Sequence, residues 1–193
     1  MNTSSTSLHF NLLSRVLHWL MAVMILSMLF IGVGMVASIA ARPMLVDLHR
    51  PLGIAILLLV VVRLFNRLRH PPPPLPADLP GWQVFAAKAS HLLLYALMFA
   101  MPLIGWSMLS AGGYPIVMFA GLQLPPIAPH DAGLYALLRG AHTWLAYLLY
   151  GTVLVHLGAA LMHAWVRRDH VFPSMARGPG AVRSEAPVDP PST

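Results

Sequence analysis

Apolar residues are concentrated in four long stretches of the chain, and most polar residues fall between them. The stretches cover about residues 16–41, 49–64, 84–109 and 137–166. A helix needs about 20 mostly apolar residues to cross a bilayer, and every stretch except the second meets that length easily. The second is shorter, but the arginines at its end can extend their charged groups to the interface. The pattern predicts an all-α integral membrane protein, a bundle of four helices.

The segments outside these stretches differ in character. Residues 42–48 are predicted to form a short outer turn. Residues 70–81 begin with a histidine and four prolines, which predicts a stiff, non-helical inner linker. Residues 110–136 predict a longer outer loop that can lie on the bundle. Residues 171–193 are rich in Pro, Ser and Gly and are predicted to be a disordered tail that follows a single domain of residues 1–170.

The composition excludes an ordinary soluble protein. Hydrophobic residues make up 58% of the chain and charged residues only 9%, whereas a soluble domain has about 25% charged residues. A net charge of +6 would indicate a nucleic-acid partner in a soluble protein. In a membrane protein such an excess more often reflects topology. We therefore expect membrane lipid around the helices and no nucleic acid.

The lysines and arginines predict the orientation of the bundle. If the N-terminus is cytoplasmic, nine of the twelve cations lie on the cytoplasmic flanks and three on the outer flanks. The nine are Arg15, Arg63, Arg67, Arg69, Lys88, Arg167, Arg168, Arg177 and Arg183, and the three are Arg42, Arg50 and Arg139. This asymmetry predicts that both termini face the cytoplasm.

The lack of cysteine and the abundance of histidine narrow the metal chemistry. The chain has no cysteine and ten histidines, which excludes iron–sulfur clusters, thiolate zinc sites and covalent c-type haem. Any metal or haem must therefore be held mainly by imidazole. Ionisable residues inside membrane spans are costly and mark functional positions. Six histidines lie in or at the predicted spans: His18, His49, His91, His142, His156 and His163.

The fourth stretch carries two histidines on one face at two depths. His142 and His156 are fourteen residues apart, so on a helix they point within about 40° of each other and lie about 21 Å apart. His18 matches the inner depth of His156, and His49 matches the outer depth of His142. Each pair supplies the two axial imidazoles that a six-coordinate haem b requires, and that coordination favours electron transfer over oxygen binding.

Three glycines recur at positions that suit a flat macrocycle between helices. Gly32 shares a helix face with His18, Gly105 shares one with His91, and Gly53 lies one turn from His49. Ordinary close contacts between small residues of neighbouring membrane helices are the alternative explanation.

The remaining intramembrane histidines suggest a quinone site at the inner end. His163 is seven residues beyond His156, so it faces the same interior about 10 Å nearer the cytoplasm. There it can bond a quinone carbonyl or pass protons, although an interfacial histidine without a substrate is the alternative. His91 competes with His18 as the inner ligand, or it bonds a haem propionate or the quinone. Lys88 is a further helper at this quinone site.

Cations at the bundle ends are candidates for binding anions. Haem propionates need cations or hydrogen-bond donors. Arg50 and Arg139 are the outer candidates, and they can also attract an anionic electron donor. Arg15, Arg67 and Lys88 are the inner ones, although most arginines at such positions only anchor the topology.

Short motifs along the chain resemble the bacterial cytochrome b561 family. The first helix opens with RVLHW, the second opens with HRPLG, and the third contains HLLLY and ends with PLIGW. The spacing from His142 through His156 to His163 is also similar to that of the family's fourth helix. The resemblance covers about residues 10–170, and the order and spacing of the motifs make it specific.

This resemblance implies a multi-pass, four-helix, di-haem b protein of the bacterial inner membrane that exchanges electrons with the ubiquinone pool. It implies four axial ligands to the haem irons, namely His18, His49, His142 and His156. In some family members the periplasmic electron donor is superoxide, and these members are superoxide oxidases. The predicted function is thus an oxidoreductase of the superoxide:ubiquinone type.

Two other functions stay open on the sequence. Relatives of the family serve as cytochrome b subunits that link a periplasmic dehydrogenase or hydrogenase to quinone. From a different class, a histidine-lined metal transporter without haem would also explain intramembrane histidines. All six acidic residues lie in loops, termini or span edges, so a divalent cation inside such a transporter would lack charge compensation.

Overall fold

The computed structural model describes residues 9–118 and 121–176, which form a bundle of four long helices. Each helix, the last together with its extension, is long and apolar enough to cross a membrane. The helices are α1, Leu12–Ala37; α2, Arg42–Arg69; α3, Gly81–Ala111; and α4, Ala132–Leu161. A π-helical segment, Met162–Arg167, extends α4, and a short helix α5, Val171–Ala176, follows it. The predicted fold class is confirmed.

The helices pack as two pairs joined through the middle. α1 lies along α2, α3 lies along α4, and α2 packs against α3. The buried centre holds Met21, Ile56, Val60 and Met98. Many large apolar side chains point outward and are exposed, and Phe30 and Leu92 are examples. An apolar surface of this extent suits lipid, since water would leave it unfavourably solvated.

Local signals in the sequence explain several helix ends. The side chain of Asn11 accepts a hydrogen bond of 2.7 Å from the backbone N–H of Ser14 and caps α1. Asp131 caps α4 in the same way through the N–H of Leu134, at 2.6 Å. Such caps satisfy N–H groups that have no partner within the helix. α2 has no side-chain cap and instead has a proline in its first turn, a position that proline favours.

The predicted turn at residues 42–48 is wrong, because these residues form the first turns of α2. The connection between α1 and α2 occupies only residues 38–41. Asp47 precedes the apolar stretch and Arg50 lies within it, and neither interrupts the helix. Pro51 also lies inside α2. His49 consequently sits in the second turn of the helix and not at its start.

The other connections agree better with the predictions made from the sequence. Residues 70–80 contain no helix or strand, as the run of prolines predicts. The outer loop spans residues 112–131, shorter at both ends than predicted because α3 and α4 extend into it. Within this loop, β1, Ile116–Val117, pairs antiparallel with β2, Gln123–Leu124. The indole N–H of Trp106 donates to the carbonyl of Pro125 at 2.9 Å, which holds the loop against α3.

The opposite end of the bundle is closed by α5 and the start of α1. The end that carries residues 38–41 and 112–131 is called the outer end, and the opposite end is called the inner end. At the inner end, the indole N–H of Trp19 donates to the carbonyl of Met175 at 3.3 Å. Asn66 Nδ2 also donates to Ser14 Oγ at 2.7 Å and joins α2 to α1.

The prediction that residues 171–193 are disordered is wrong for the first residues of this segment. Val171–Ala176 forms α5, and the backbone N–H of Phe10 donates to the carbonyl of Ser174 at 3.2 Å. This contact with the chain before α1 fixes α5 in place. Residues 177–193 of the predicted tail lie outside the described residues, and the division of the chain at residue 170 stays a prediction.

Candidate functional site

Two cross-helix pairs of histidines lie inside the bundle, one toward each end. Near the outer end, the ring centres of His49 on α2 and His142 on α4 are 6.1 Å apart. Nearer the inner end, the ring centres of His18 on α1 and His156 on α4 are 6.3 Å apart. These are the two pairs that helical periodicity predicts. α4 therefore contributes one imidazole to each pair.

The spacing within each pair fits two imidazoles that share one metal ion. A bond from a metal ion to an imidazole nitrogen is about 2.0 Å long, and the ring centre lies about 1.1 Å beyond that nitrogen. Two imidazoles on opposite sides of one metal ion therefore have ring centres about 6.2 Å apart. The measured 6.1 Å and 6.3 Å are close to this value. The rings are inclined by 66° and 68°, which axial ligation allows because each ring can rotate about its bond. Both pairs thus fit bis-imidazole ligation.

A large apolar cavity surrounds the outer pair. Its volume is about 630 Å³, and His49, His142 and Arg50 line it together with many apolar side chains. Ligand-binding pockets are commonly of this size. Nδ1 of His49 is buried and has no hydrogen-bond partner among the described residues. A buried polar atom of that kind needs a partner, so the cavity suits a ligand that an imidazole can bind.

Glycines keep the outer cavity open. Gly32, Gly53 and Gly105 all line it. A Cβ added at Gly105 would lie 3.3 Å from Cε1 of His142, and one at Gly53 would lie 3.5 Å from Cε of Met28. A larger side chain at Gly105 would therefore press directly on an imidazole of the outer pair. The lining positions agree with the interpretation that these glycines make room for a flat group.

The inner pair has a third imidazole beside it. The ring centre of His91 on α3 is 5.5 Å from that of His156. His91 and His18 therefore both lie close enough to His156 to be considered as the second inner ligand. The separation of 5.5 Å is shorter than the roughly 6.2 Å expected for two coaxial ligands of one metal. The separation of 6.3 Å between His18 and His156 fits better. The spacing favours His18 as the inner ligand and leaves His91 as a neighbour.

Arg63 on α2 reaches this inner group, and the sequence interpretation used it only as a topology signal. Its Nη2 atom is 3.0 Å from Nδ1 of His18, and its Nε donates to the hydroxyl of Tyr95 at 3.2 Å. A guanidinium is always charged. An arginine within the second apolar stretch was the available signal, since such residues inside a span mark functional positions.

The predicted quinone residue His163 lies in the π-helical segment and contacts a carboxylate. Its Nδ1 is 2.6 Å from Oδ2 of Asp169, and Nε of Arg167 donates to the same oxygen at 3.3 Å. Burial acts to raise the pKa of Asp169, but the hydrogen bonds from His163 and from the N–H of Val171 outweigh it and lower the pKa below its usual value. Sequence reasoning missed Asp169, because an acidic residue just beyond a span looks like an ordinary interfacial group.

The other predicted site residues lie in different surroundings. Arg50 lines the outer cavity, and its Nε is buried without a hydrogen-bond partner among the described residues. Arg139 does not line that cavity. It lies in a surface groove of α4 with Trp144 and Tyr147. Lys88 is exposed on α3, three residues before His91. The structure thus places Arg50, and not Arg139, beside the outer imidazole pair.

Clustered metal ligands of the kind that a transporter needs do not occur in the part of the chain that the structure describes. Within residues 9–118 and 121–176, no group of three or more His, Cys, Asp or Glu side chains could hold a metal ion. At the inner end the rings of His18 and His91 each lie beside that of His156, but the three do not form such a group. Paired imidazoles suit an ion whose remaining ligands come from a macrocycle, so the metal-transporter alternative gains no support.

Comparisons with known proteins also indicate a haem protein. The chain matches the family profile described as prokaryotic cytochrome b561 over residues 9–178. It is 32% identical over 183 residues to "Cytochrome b561 homolog 2" of Escherichia coli K12, a match that covers 91% of this chain and 95% of that protein. It is 31% identical over 157 residues to "Probable superoxide oxidase CybB" of Yersinia pestis, with 81% and 89% coverage.

Proposed function

Because the chain belongs to the prokaryotic cytochrome b561 family, we propose that it transfers electrons from superoxide on the periplasmic side to ubiquinone. The coarser description follows directly from family membership: the protein is a haem b oxidoreductase of membrane electron transfer in the bacterial inner membrane. The number of haems, the donor and the acceptor belong to the proposal, and so does the orientation with both termini in the cytoplasm.

The proposal assigns one haem b to each histidine pair. His49 and His142 hold the outer haem, and His18 and His156 hold the inner haem. Haem b with two imidazole ligands supplies reversible one-electron transfer. The observation that carries the proposal is the pair of ring separations, 6.1 Å and 6.3 Å, at two depths of the same helix. Two such pairs at two depths of α4 would place two haems in succession between the two sides of the membrane.

Arg50 is proposed to attract and hold anions at the outer end. Its buried Nε without a partner among the described residues supports a carboxylate there, such as a haem propionate. A positive group beside the cavity also raises the local concentration of an anionic donor. Superoxide is such an anion, and the relative from Yersinia pestis carries the name of a probable superoxide oxidase. Arg139 is proposed only as a more distant contributor to this positive field.

The acceptor is proposed to bind near His163 at the inner end, with His91 and Lys88 as helpers. Two superoxide anions each give up one electron and become dioxygen. One ubiquinone takes up these two electrons and two protons and becomes ubiquinol. A side chain near the quinone can pass these protons, and a histidine ring is suited to this because its nitrogens can both donate and accept. The partly buried position of His163 beside a carboxylate supports this assignment.

The proposed function is tested with the purified protein. A pyridine haemochrome assay should give two haem b per chain. Addition of superoxide should then form one ubiquinol for every two superoxide anions consumed. One haem per chain, or a fully haem-loaded protein that forms no ubiquinol from superoxide, would contradict the proposal. Reduction only by a co-purified periplasmic dehydrogenase or hydrogenase would replace it with the subunit function.

Gly105→Leu should remove the outer haem. The new side chain begins 3.3 Å from the ring of His142 and extends into the cavity, where it would occupy the space of the macrocycle. We expect haem content to fall from two per chain to one, measured by the pyridine haemochrome assay. Gly151→Leu on α4 is the matched control, because a Cβ at Gly151 has nothing within 4 Å. Equal haem content in both variants would show that Gly105 does not border a haem.

A further inference from the structure

We propose that Asp169 is a positioning residue for His163: its carboxylate fixes the ring and stabilises its protonated form while His163 passes a proton to ubiquinone. This inference rests on the proposed quinone site at His163 and adds a residue that acts through that histidine. It begins from the contact of 2.6 Å between Nδ1 of His163 and Oδ2 of Asp169. Both side chains are only 13% exposed.

The contact determines which ring nitrogen of His163 is left free. An ionised carboxylate can only accept hydrogen bonds, so Nδ1 of His163 must carry the proton that it donates to Asp169. In the neutral ring this leaves Nε2 without a proton and free to take one up. Hydrogen-bonded carboxylates hold catalytic and metal-binding histidines in one tautomer by the same physics. Asp169 therefore directs Nε2 of His163 toward proton exchange.

Asp169 is suited to stabilise a positive imidazole because it stays ionised. Burial acts to raise its pKa, but hydrogen bonds from His163, Val171 and Arg167 reverse this and leave the pKa below its usual value. At neutral pH the carboxylate is thus negative. A charge-assisted hydrogen bond to a protonated His163 is roughly twice as strong as one between neutral groups.

The backbone between the two residues departs from an α-helix, and the contact depends on this departure. In a continuous α-helix a residue six positions after His163 would lie about 9 Å further along the axis and about 120° away around it. Here the chain is π-helical over Met162–Arg167, and Arg168 then adopts a φ of 53° in the left-handed region. This path turns Asp169 back to His163. π-helical segments are frequently found at functional sites.

Arg167 completes the arrangement without competing for the ring. Its Nε donates to Asp169 at 3.3 Å, and its Nη2 donates to Oδ2 of Asp78 at 2.6 Å. Asp78 lies in the linker before α3, and its side chain is 71% exposed. An ion pair at such an exposed position contributes little. Asp78 therefore offers a matched aspartate that touches the same arginine but not His163.

The proposed step balances in protons and electrons. Ubiquinone takes up two electrons from the donor and two protons to become ubiquinol. One proton leaves Nε2 of protonated His163 for a quinone oxygen, and the ring returns to its neutral form with the proton on Nδ1 still held by Asp169. A proton from bulk solvent at the inner end of the bundle then binds Nε2 again, and the ring delivers the second proton in the same way. Asp169 exchanges no proton with the substrate.

The test compares three variants of the full-length, haem-loaded protein: Asp169→Asn, Asp169→Glu and Asp78→Asn. Asparagine keeps a hydrogen-bond acceptor but removes the negative charge. For Asp169→Asn we expect kcat for superoxide-driven ubiquinol formation to fall on the order of 10-fold to 100-fold. KM for ubiquinone should change by less than about 2-fold, because binding itself is not affected. Asp169→Glu should recover part of kcat, and Asp78→Asn should match the wild type.

Two further readouts separate this role from a structural one. Haem content and the rate at which superoxide reduces the haems in the absence of quinone should be the same in all variants. A kcat for Asp169→Asn equal to that of an active wild type would overturn the inference and leave the proposed function intact. Loss of haem in both Asp169 variants would assign the residue a structural role and also overturn it. A wild type that reduces no quinone would instead refute the proposed function, and the inference with it.

Discussion

Replacing His142 with alanine is expected to remove one haem from the protein and leave the other, whereas His156→Ala is expected to remove the opposite one. Each variant deletes one imidazole of a single pair, each pair is proposed to hold one haem, and the pairs share no residue. Haem b is held without covalent bonds in a chain that lacks cysteine, so loss of an axial ligand should release it. Haem content should fall from two per chain to one in each case.

The measurement is a pyridine haemochrome assay together with a reduced-minus-oxidised spectrum of each variant. The two spectra should differ, because each variant keeps a different haem in a different environment. His70→Ala is a suitable control, since His70 lies beyond α2 and its Nδ1 is 3.2 Å from the carbonyl oxygen of Asn66. Two haems retained in His142→Ala, or identical spectra from both variants, would refute the assignment of one haem to each pair.

The same assay decides between the two candidates for the second inner ligand. His18 and His91 both lie beside His156, at 6.3 Å and 5.5 Å between ring centres. The longer separation fits coaxial ligation of one iron, so His18→Ala should lose the inner haem and His91→Ala should keep it. The reverse result would make His91 the ligand and leave His18 as the partner of Arg63.

The four helices could be predicted because each apolar stretch is close to or above the length that crosses a bilayer. The ends of α2 could not, because its outer turns carry Arg42, Asp47 and Arg50. In an aqueous loop and in the interfacial turns of a membrane helix such residues look alike. The hydrophobic pattern therefore locates the lipid-crossing part of a helix and underestimates its full length. The outer loop was overestimated at both ends, because α3 continues to Ala111 and α4 already begins at Ala132.

The histidine pairs could be predicted because α4 is regular between His142 and His156. A constant 100° per residue places both rings on one face, and the structure brings each beside a partner on another helix. The regular period ends at Leu161, and the π-helical segment begins at Met162. From that point the angle between residues is no longer the one assumed. Helical periodicity therefore could not predict the contact of Asp169 with His163.

Contacts between helices also could not be predicted from the sequence. Arg63 meets His18 and Tyr95 only because α2 presents its arginine to α1 and α3 at once. Which neighbours a side chain meets depends on how the helices are rotated about their axes. An apolar stretch without a marked polar face leaves that rotation undetermined. The sequence could identify Arg63 as an unusual intramembrane charge but not its partners.

His163→Ala is expected to slow ubiquinol formation strongly while the haem content stays unchanged. His163 is seven residues beyond His156, the proposed inner ligand, and contacts neither histidine pair among the contacts of the described residues. Its loss should therefore not affect haem binding. Removing a general acid typically costs a factor of about 10² to 10⁴ in rate. We therefore expect kcat for superoxide-driven ubiquinol formation to fall by about 100-fold or more. Haem content and haem reduction by superoxide should equal those of the wild type.

His163→Gln separates proton transfer from binding at the same position. Glutamine can still donate a hydrogen bond to a quinone carbonyl, but it cannot take up and release a proton near neutral pH. KM for ubiquinone should then remain near the wild-type value while kcat falls nearly as far as in the alanine variant. Recovery of kcat by glutamine would mean that the residue only binds the quinone and that its protons arrive by another route. Unchanged kcat in the alanine variant would place the quinone site elsewhere, and His91, close to His156, would be the next residue to replace.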